Sequence, residues 1–469
     1  MQNSGGWIRG DAQDYDDWAR EVGDDRWSYK GQLPYFRRSE HHFDPKADPE
    51  QHGFEGPMYT SSVTTSGRRY PLRETTLEAW KSLGLEEIED ANNGFPQGIA
   101  ELVENRRDGF RQLTSQVYPL QGAHILTETM VKRIILTEAQ GGEKVAIGVE
   151  LAEGRQIHVK PEGEILLCAG SYRSPQILML SGIGPEDELA KYNIPLQVNS
   201  PWVGKNFHDH QMIFRYWKLR HPEKDLAMGS PTLAHPVFQR GNPADWLATM
   251  TVPAAGLKAA VAKDEHRNIS DVTDDHTLLK GPRSHLELNV LYAVFAAEQI
   301  CLQIPVDGSV IMSYYMACLP SSRGTVTLAS TDPLAAPIID PNYGNTHADR
   351  YVMREGWRVL SRLMLETPQG KELVADEISP EGYSCLPSTA SDEEIDKRVG
   401  IGGMSCSHPA SSCSMGKVVD ARCRVVGVRA LRVVDASVIP VPLAAHYQAP
   451  VFALAEQAVE IILEGREKE

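Results

Sequence analysis

The stretch EILLCAGSYRSPQILMLSGIGP, residues 164–185, contains the pattern of a strand, a turn and a helix. Its apolar run at 165–168 is continuous, which is typical of a strand that is buried on both faces. Gly170 ends the strand, and the Ser-Pro pair at 174–175 predicts a helix N-cap with proline in the first helical position. Gly182 then ends the helix. The stretch therefore predicts a strand–turn–helix unit of an α/β fold.

Short β-rich runs surround this unit. The runs HILTETMVKRIIL (124–136), VAIGVELA (145–152) and RQIHVKP (155–161) predict a β-meander directly before it. Further along, SRGTVTLASTDPLAAPIIDPNY (322–343) contains Thr and apolar residues in alternation, which is typical of a half-buried antiparallel strand. Together with a helical pattern near 349–365, this run predicts a separate sheet domain in the middle of the chain.

The two ends of the chain carry helical patterns. Near the N-terminus, residues 7–40 show helical patches at 15–22 and 33–39 and read as a weakly amphipathic surface region, whereas residues 41–70 read as loop. Near the C-terminus, the strand ALRVVD (430–435) is followed by a helix from about Ala449, with Pro450 near its start. The predicted buried face of this helix contains Phe452, Ala455, Val459 and Ile462.

Composition narrows the class of protein. A chain of 469 residues is too long for one hydrophobic core, so two structural domains are expected. The 47 basic and 63 acidic residues give a net charge of −16, which disfavours binding to nucleic acid and to anionic membranes. The seven cysteines form no CxxC pair or zinc-like array, so most are expected to be free thiols. No metal site is predicted.

Three groups of motifs resemble the glucose-methanol-choline (GMC) oxidoreductase family. The first is GSYRSPQILMLSGIGP at 170–185 with VGKNFHDH at 203–210. The second is HPASSCSMG, VRALRVVDASVIP and AAHYQAPVFALAEQAVEII, which together lie within 408–462. The third is NSGGWIRG at 3–10, followed by DYDDWA and WSYKGQLPYFRRSE. With weaker matches, the resemblance covers most of the chain from Asn3 to Leu463.

The resemblance implies a mixed α/β fold in which a Rossmann-like FAD-binding domain, here incomplete, accompanies a substrate domain with an antiparallel sheet. Five segments are expected. They are a remnant of the FAD-binding domain and lid (1–40), a substrate-domain or loop segment (41–108), a part of the FAD-binding domain (109–212), the substrate domain (213–407), and a part of the FAD-binding domain with the active-site end (408–469).

The implied activity is removal of a hydride from a CH–OH group of a small-molecule alcohol. This chemistry needs a base that removes the hydroxyl proton, and imidazole has a suitable pKa. By resemblance, His408 is the general base and His446 is the partner that orients the hydroxyl and stabilises the developing alkoxide. The two roles could be exchanged.

A flavin is implied because no side chain accepts a hydride, and the family resemblance suggests FAD. The helix that begins near Pro450 would place its positive amino end at the reduced flavin ring. By resemblance, the residues near FAD are Asn3, Val131, Gly170, Ser171, Asp435, Ala436, Gln448, Pro450 and Val451. For Asp435 alone, a structural role in the turn after its strand is the alternative.

The sequence departs from the family pattern at its start, because Met1 comes after the position of the family's GxGxxG loop. The glycine cluster at 400–403 follows a polar, helix-like segment, so it does not fit a pyrophosphate loop. An incomplete flavin-dependent enzyme is the first interpretation. A flavin-free enzyme of the same fold, such as a cyclase or lyase using the two histidines, and an inactive truncated binding protein are the alternatives.

The remaining expectations concern partners and location. A small-molecule alcohol is the expected partner, without nucleic acid or membrane, and the oligomeric state is open. Cytoplasm is the default location, and a secreted form fits if an upstream signal precedes the sequence. The identity of the alcohol and of the electron acceptor stays open, because both depend on loops that shape the pocket.

Overall fold

The computed structural model describes residues 5–139 and 141–466 and mixes helices with strands, which confirms the predicted α/β class. The α-helices of this part of the chain are α1 Ala12–Val22, α2 Tyr29–Ser39, α3 Arg73–Ser82, α4 Thr114–Val117, α5 Gly170–Leu180, α6 Glu186–Lys191, α7 Ala254–Asp264, α8 His347–Ser361, α9 Pro368–Leu373, α10 Asp392–Gly402 and α11 Gln448–Arg466.

The strands are mostly short. They are β1 Glu40–His41, β2 Met58–Tyr59, β3 Gly98–Glu101, β4 Arg106–Arg107, β5 Phe110–Arg111, β6 Val131–Glu138, β7 Lys144–Leu151, β8 Gln156–His158, β9 Ile165–Leu167, β10 Ile183–Gly184, β11 Val198–Asn199, β12 Gln211–Leu219, β13 Ala244–Met250, β14 Leu286–Leu291, β15 Val310–Ala317, β16 Thr325–Thr327, β17 Ile338–Asp340, β18 Val374–Ile378, β19 Gly403–Ser405, β20 Val428–Arg429 and β21 Leu431–Val433.

The largest sheet has seven strands, and every pairing in it is antiparallel. Its order is β18, β12, β15, β14, β13 and β3, and β19 pairs with the first residues of β12. Helix α8 packs against the sheet, and Trp357, Leu360 and Ile311 belong to the core between them. This sheet confirms the predicted antiparallel sheet of the substrate domain.

A second core forms around the parallel pair of β9 and β21. Leu178 of α5, Val433 of β21 and Leu454 of α11 are among its buried residues. The antiparallel strands β6, β7 and β8 confirm the predicted meander, and β20 pairs with β7 in parallel. The five segment bounds given above stay predictions.

Helix α5 differs from its prediction because it begins at Gly170, so the expected N-cap at Ser174 is wrong. Pro175 lies inside the helix, where the missing N–H leaves the carbonyl of Ser171 without its helical donor. The hydroxyl of Ser412 donates to this carbonyl at 2.6 Å. A contact from a distant segment therefore makes an internal proline tolerable at this position.

Strand β9 is only partly buried, which contradicts the expected burial on both faces. Leu167 is buried, whereas Leu166 has 46% of its surface exposed. Within the described residues, β9 pairs with β21 alone. One edge of the strand is therefore open, and the apolar run at 165–168 does not gain cover from a second neighbouring strand.

The N-terminal segment is a core region, so its interpretation as a surface region is wrong. Tyr15 and Trp18 of α1 and Trp27 before α2 are completely buried. The rings of Trp18 and Trp27 stack with their centroids 4.9 Å apart. Helix α11 packs against α2, and the large apolar area of the aromatic rings outweighs the acidic character of the segment.

The hairpin of β16 and β17 has the predicted alternation, with Val326 buried between two half-buried threonines. However, this hairpin is not part of the seven-stranded sheet. The Val326 N–H donates to the carbonyl of Gly204 at 2.7 Å, and Leu328 belongs to the core around β9 and β21. The pattern predicted the local structure correctly and its location wrongly.

Several general expectations can be compared with the structure. All seven cysteines are free thiols, as predicted for most of them. Over residues 5–139 and 141–466, no cluster of His, Cys, Asp or Glu has the form of a metal site. In the same part of the chain, no helix combines the length and apolar character needed to cross a bilayer.

Candidate active site

A cavity of about 800 Å³ lies where the ends of β9 and β21 meet the amino end of α11. Crevices at the carboxyl ends of parallel strands are common ligand sites. Most of the predicted site residues contribute to its wall. They are Gly170, Ser171, His408, Asp435, Ala436, Gln448 and Val451.

The structure brings the two predicted histidines together. The ring centroids of His408 and His446 are 5.1 Å apart, although 446 − 408 = 38 positions separate them in the sequence. His408 is buried in the cavity wall. His446 follows the loop before α11 and contacts Glu287 of β14. The pair therefore connects the cavity with the seven-stranded sheet.

His408 is held by a buried carboxylate. Its backbone N–H donates to Oδ1 of Asp209 at 2.8 Å. The other oxygen of Asp209 accepts hydrogen bonds from the hydroxyls of Tyr343 and Ser405. On the ring, Nδ1 of His408 lies 3.0 Å from Nδ1 of His210. These contacts fix the backbone of His408 and limit rotation of its imidazole.

The environment of His408 favours its neutral form. Burial, followed by the nearby His446 and His210, lowers the pKa of His408 well below its usual value. Burial also lowers the pKa of His210, to about 3. A hydrogen bond between two Nδ1 atoms needs one donor and one acceptor, so the two rings cannot both be protonated. His408 is thus available to accept a proton near neutral pH.

The environment of His446 favours its charged form. Its Nε2 lies 2.9 Å from Oε1 of Glu287, which also accepts a hydrogen bond from the Tyr314 hydroxyl at 2.9 Å. Burial alone lowers the pKa of His446, but the Glu287 carboxylate and the backbone of Gly6 outweigh it and raise the pKa. Burial raises the pKa of Glu287, and the contacts with His446 and Tyr314 reverse this and lower it.

A neutral imidazole and a charged imidazole next to each other can perform acid–base chemistry. The neutral ring of His408 can accept a proton from a hydroxyl group. The positive charge of His446 can stabilise a negative oxygen produced beside it. These pKa directions agree with His408 as base and His446 as its electrostatic partner, and the roles themselves stay a prediction.

The amino end of α11 gives the cavity a partial positive charge, since the peptide dipoles of a helix add up along its axis. The side-chain oxygen of Gln448 in this turn is buried without a hydrogen-bond partner in the described part of the chain. At Gly170, which has a φ of +76°, an added Cβ would meet no atom within 4 Å. The open space at Gly170 and the unpartnered side-chain oxygen of Gln448 fit the ring and ribityl end of a flavin.

Asp435 has a structural role in the turn after β21. Its oxygens accept hydrogen bonds from the Gly170 N–H at 2.9 Å, the Ser174 hydroxyl at 2.6 Å and the Ser437 N–H at 2.8 Å. These bonds join the turn to the start of α5. A direct contact of Asp435 or Ala436 with a cofactor stays a prediction.

Two of the predicted cofactor residues in the described part of the chain, Val131 and Pro450, are not in the wall of the cavity. Val131 begins the meander at β6, and Pro450 is buried in the first turn of α11. Asn3 lies outside the described residues. The cavity therefore offers no support for contacts of Val131 and Pro450 with the ligand.

The buried face of α11 is only partly the predicted one, because Ile462 is buried and Phe452 packs against the core, whereas Ala455 and Val459 do not. Ala455 and Val459 are exposed and, with Phe452, line the cavity. The residues of α11 in the core are Ala449, Ala453, Leu454, Ala458 and Ile461. Both sets recur at three- and four-residue steps, so periodicity could not distinguish the face in the core from the face at the cavity.

Sequence reasoning missed Glu287, Tyr314 and the role of His210. His210 was visible in the motif VGKNFHDH, where it follows Asp209 directly. Glu287 had a weaker signal. The strand sequence LELNVL at 286–291 is entirely buried, and its two polar residues occupy alternate positions on one face. Polar residues at alternate positions of an otherwise apolar strand share one face, and when buried they need hydrogen-bond partners there.

The fold and the acid–base pair beside a large cavity define an enzyme site, and the sequence comparisons identify its class. The models of the GMC oxidoreductase family match residues 1–212 and 320–455, so the chain belongs to this family of oxidoreductases. GMC-type oxidoreductase acuG of Aspergillus aculeatus is 41% identical over 98% of this chain and 82% of that protein.

Two other proteins are also similar to this chain. Oxygen-dependent choline dehydrogenase of Vibrio vulnificus is 31% identical over 97% of this chain and 78% of that protein. The solved structure of a formate oxidase of Aspergillus oryzae RIB40 has a TM-score of 0.85 at 26% identity, with 99% of this chain and 83% of that chain covered. Similarity to these proteins extends over nearly all of the chain.

Proposed function

We propose that the chain is an FAD-dependent oxidoreductase that removes a hydride from the CH–OH group of a small-molecule alcohol. The observation that carries this proposal is the position of His408 in the cavity wall, with its ring centroid 5.1 Å from that of His446, which in turn contacts Glu287. The relatives support it, since one is a choline dehydrogenase and the formate oxidase carries FAD.

When bound, the flavin supplies the electron sink that accepts the hydride. Gln448 and the first turn of α11 are the groups of this chain that would hold its ring, and Gly170 leaves room beside it. His408 accepts the hydroxyl proton of the alcohol. His446 stabilises the resulting oxygen charge, and Glu287 keeps His446 charged and oriented.

The test uses the purified chain with added FAD, followed by gel filtration. We expect the flavin absorption to remain with the protein and to bleach when an alcohol such as choline or benzyl alcohol is added without oxygen. Protein that retains no flavin and converts no alcohol would overturn the proposal. Colourless protein that converts a substrate in a His408-dependent manner would support the flavin-free acid–base enzyme instead.

The contact between Gly6 and His446 gives a separate prediction. A Cβ at position 6 would lie 2.3 Å from Nδ1 of His446, so the Gly6→Ala variant must displace the ring. We expect kcat to fall by roughly 100-fold, because a shift of about 1 Å in a catalytic group has that effect. Steady-state oxidation of the same alcohol measures it.

The matched control is Gly400→Ala in α10, where an added Cβ meets no atom within 4 Å. This variant is expected to keep the kcat of the unmodified chain. If Gly6→Ala keeps kcat within about threefold and its flavin content is normal, the position of His446 does not limit turnover.

A further inference from the structure

Asn289 is a buried polar residue that the acid–base chemistry does not use. Its side chain lies in β14 with only 1% of its surface exposed. Its Oδ1 accepts no hydrogen bond within the described part of the chain. A buried acceptor without a partner lowers stability, so most such atoms are completed by a protein group, a ligand or water.

Asn289 lies on the same face of the sheet as Glu287. Side chains two positions apart on a strand point to the same side and are separated by roughly 7 Å. Glu287 contacts His446, so Asn289 lies one step further from the acid–base pair along this face. On the neighbouring strand its register partner is Tyr314, which also donates to Glu287.

The surrounding face is apolar and partly open. Phe214 and Tyr314 are only half-buried, although both lie in the middle of central strands of the large sheet. Their rings meet edge to face with centroids 6.2 Å apart. Met212 and Met316 belong to the same apolar cluster. The face that carries Glu287 and Asn289 is therefore apolar around them and remains partly accessible at Phe214 and Tyr314.

Oε1 of Glu287 is already in contact with His446 and with the Tyr314 hydroxyl, so this oxygen is not free to bind a cationic group. The amide oxygen of Asn289 is neutral and accepts hydrogen bonds. This combination suits a ligand with an apolar body and a neutral donor at its far end. The spacing of roughly 7 Å between Glu287 and Asn289 along the strand is comparable with the length of a substituted aromatic ring.

We propose that Asn289 forms a specificity subsite for a second hydrogen-bond donor on the substrate. The substrate class is an aromatic or similarly apolar alcohol that carries a hydroxyl group opposite the carbon to be oxidised. This inference rests on the proposed function, because it places the reacting alcohol beside His408 and His446. Asn289 contributes recognition, and it takes no part in proton transfer.

The experiment compares 3- and 4-hydroxybenzyl alcohol with benzyl alcohol in the full chain supplied with FAD. Dissociation constants are measured by calorimetry, and kcat/KM is measured separately. We expect the better hydroxylated alcohol to be preferred by about tenfold or more. In Asn289→Leu, which keeps the side-chain size, the preference is expected to disappear while benzyl alcohol changes by less than about threefold.

The control is Tyr315→Phe, which removes an unpartnered hydroxyl from a buried residue of the adjacent strand, one position along from Tyr314. Tyr315 contacts Gly356 of α8 on the opposite face, so this variant is expected to keep the preference. Equal binding of all three alcohols by the unmodified chain would overturn the inference, as would a preference that survives Asn289→Leu. Selective binding of the hydroxylated alcohol without its oxidation would support the subsite and contradict the proposed function.

Discussion

The His408→Ala variant is expected to lower kcat by about 100- to 10,000-fold, the usual contribution of a positioned general base. The imidazole in the cavity wall is lost, and Glu287 raises the pKa of the adjacent His446, which favours the charged form of that ring. A charged imidazole cannot accept a proton. The rate of flavin bleaching by an alcohol in a single turnover measures the effect directly.

His158→Ala is the control for this variant, because His158 is exposed in β8. It is expected to leave kcat unchanged. A His408→Ala protein that binds FAD and keeps kcat within about tenfold would show that another group is the base. If His446→Ala has the large effect instead, the two roles are exchanged.

The pH profile gives a second readout of the same residue. The lowered pKa of His408 means that its neutral form persists below the usual value of 6.5. We therefore expect kcat/KM to stay constant as the pH falls through 6.5 and to decline only at lower pH. An acid limb at or above pH 6.5 would contradict the assignment of His408 as the base.

The sequence predicted individual helices and strands better than it predicted which distant segments pack against them. The strand–turn–helix unit at 164–185, the meander and the alternation at β16 are all present, because each depends on residues close together in the chain. The predictions that Leu166 is buried and that the β16 hairpin belongs to the large sheet domain were wrong. Both depend on which distant segment lies alongside, and no local pattern contains that information.

At the site, too, the sequence indicated residues that lie in motifs and missed those that distant segments contribute. The motif resemblance indicated His408 and His446, and the structure places their rings next to each other. The carboxylate that charges His446 comes from β14, far away in the sequence, so the residue types around the histidines could not reveal it. The face of α11 at the cavity was missed for a related reason, since both of its apolar faces satisfy the helical period.

The substrate-domain core depends on a buried ion cluster. Arg215 of β12 forms two hydrogen bonds with the carboxylate of Glu377, at 3.0 and 3.1 Å. Arg398 donates to the same carboxylate at 3.0 Å. The guanidinium of Arg215 lies between the rings of Trp217 and Trp357, at 4.5 and 4.2 Å from their centroids. All three charged groups are almost completely buried.

Glu377→Gln is expected to lower the free energy of unfolding of this core by about 3–5 kcal/mol, because it leaves two buried arginines without their common counter-charge. Urea unfolding followed by tryptophan fluorescence measures the change, since Trp217 and Trp357 flank the cluster. Glu393→Gln is the control. Its pair with Lys397 is exposed on α10, so a change of less than about 1 kcal/mol is expected.

The pH dependence of this difference provides an internal check. Burial raises the pKa of Glu377, but Arg215 and Arg398 outweigh it and lower the pKa below the ordinary value of 4.5. A lowered carboxylate pKa contributes stability above the unfolded value, and that contribution declines as the pH falls from 4.5 through the folded pKa. The difference in the free energy of unfolding between the unmodified chain and Glu377→Gln is therefore expected to become smaller in acid. A gap that is below 1 kcal/mol at pH 7, or that widens in acid, would show that the charge of Glu377 does not stabilise the core.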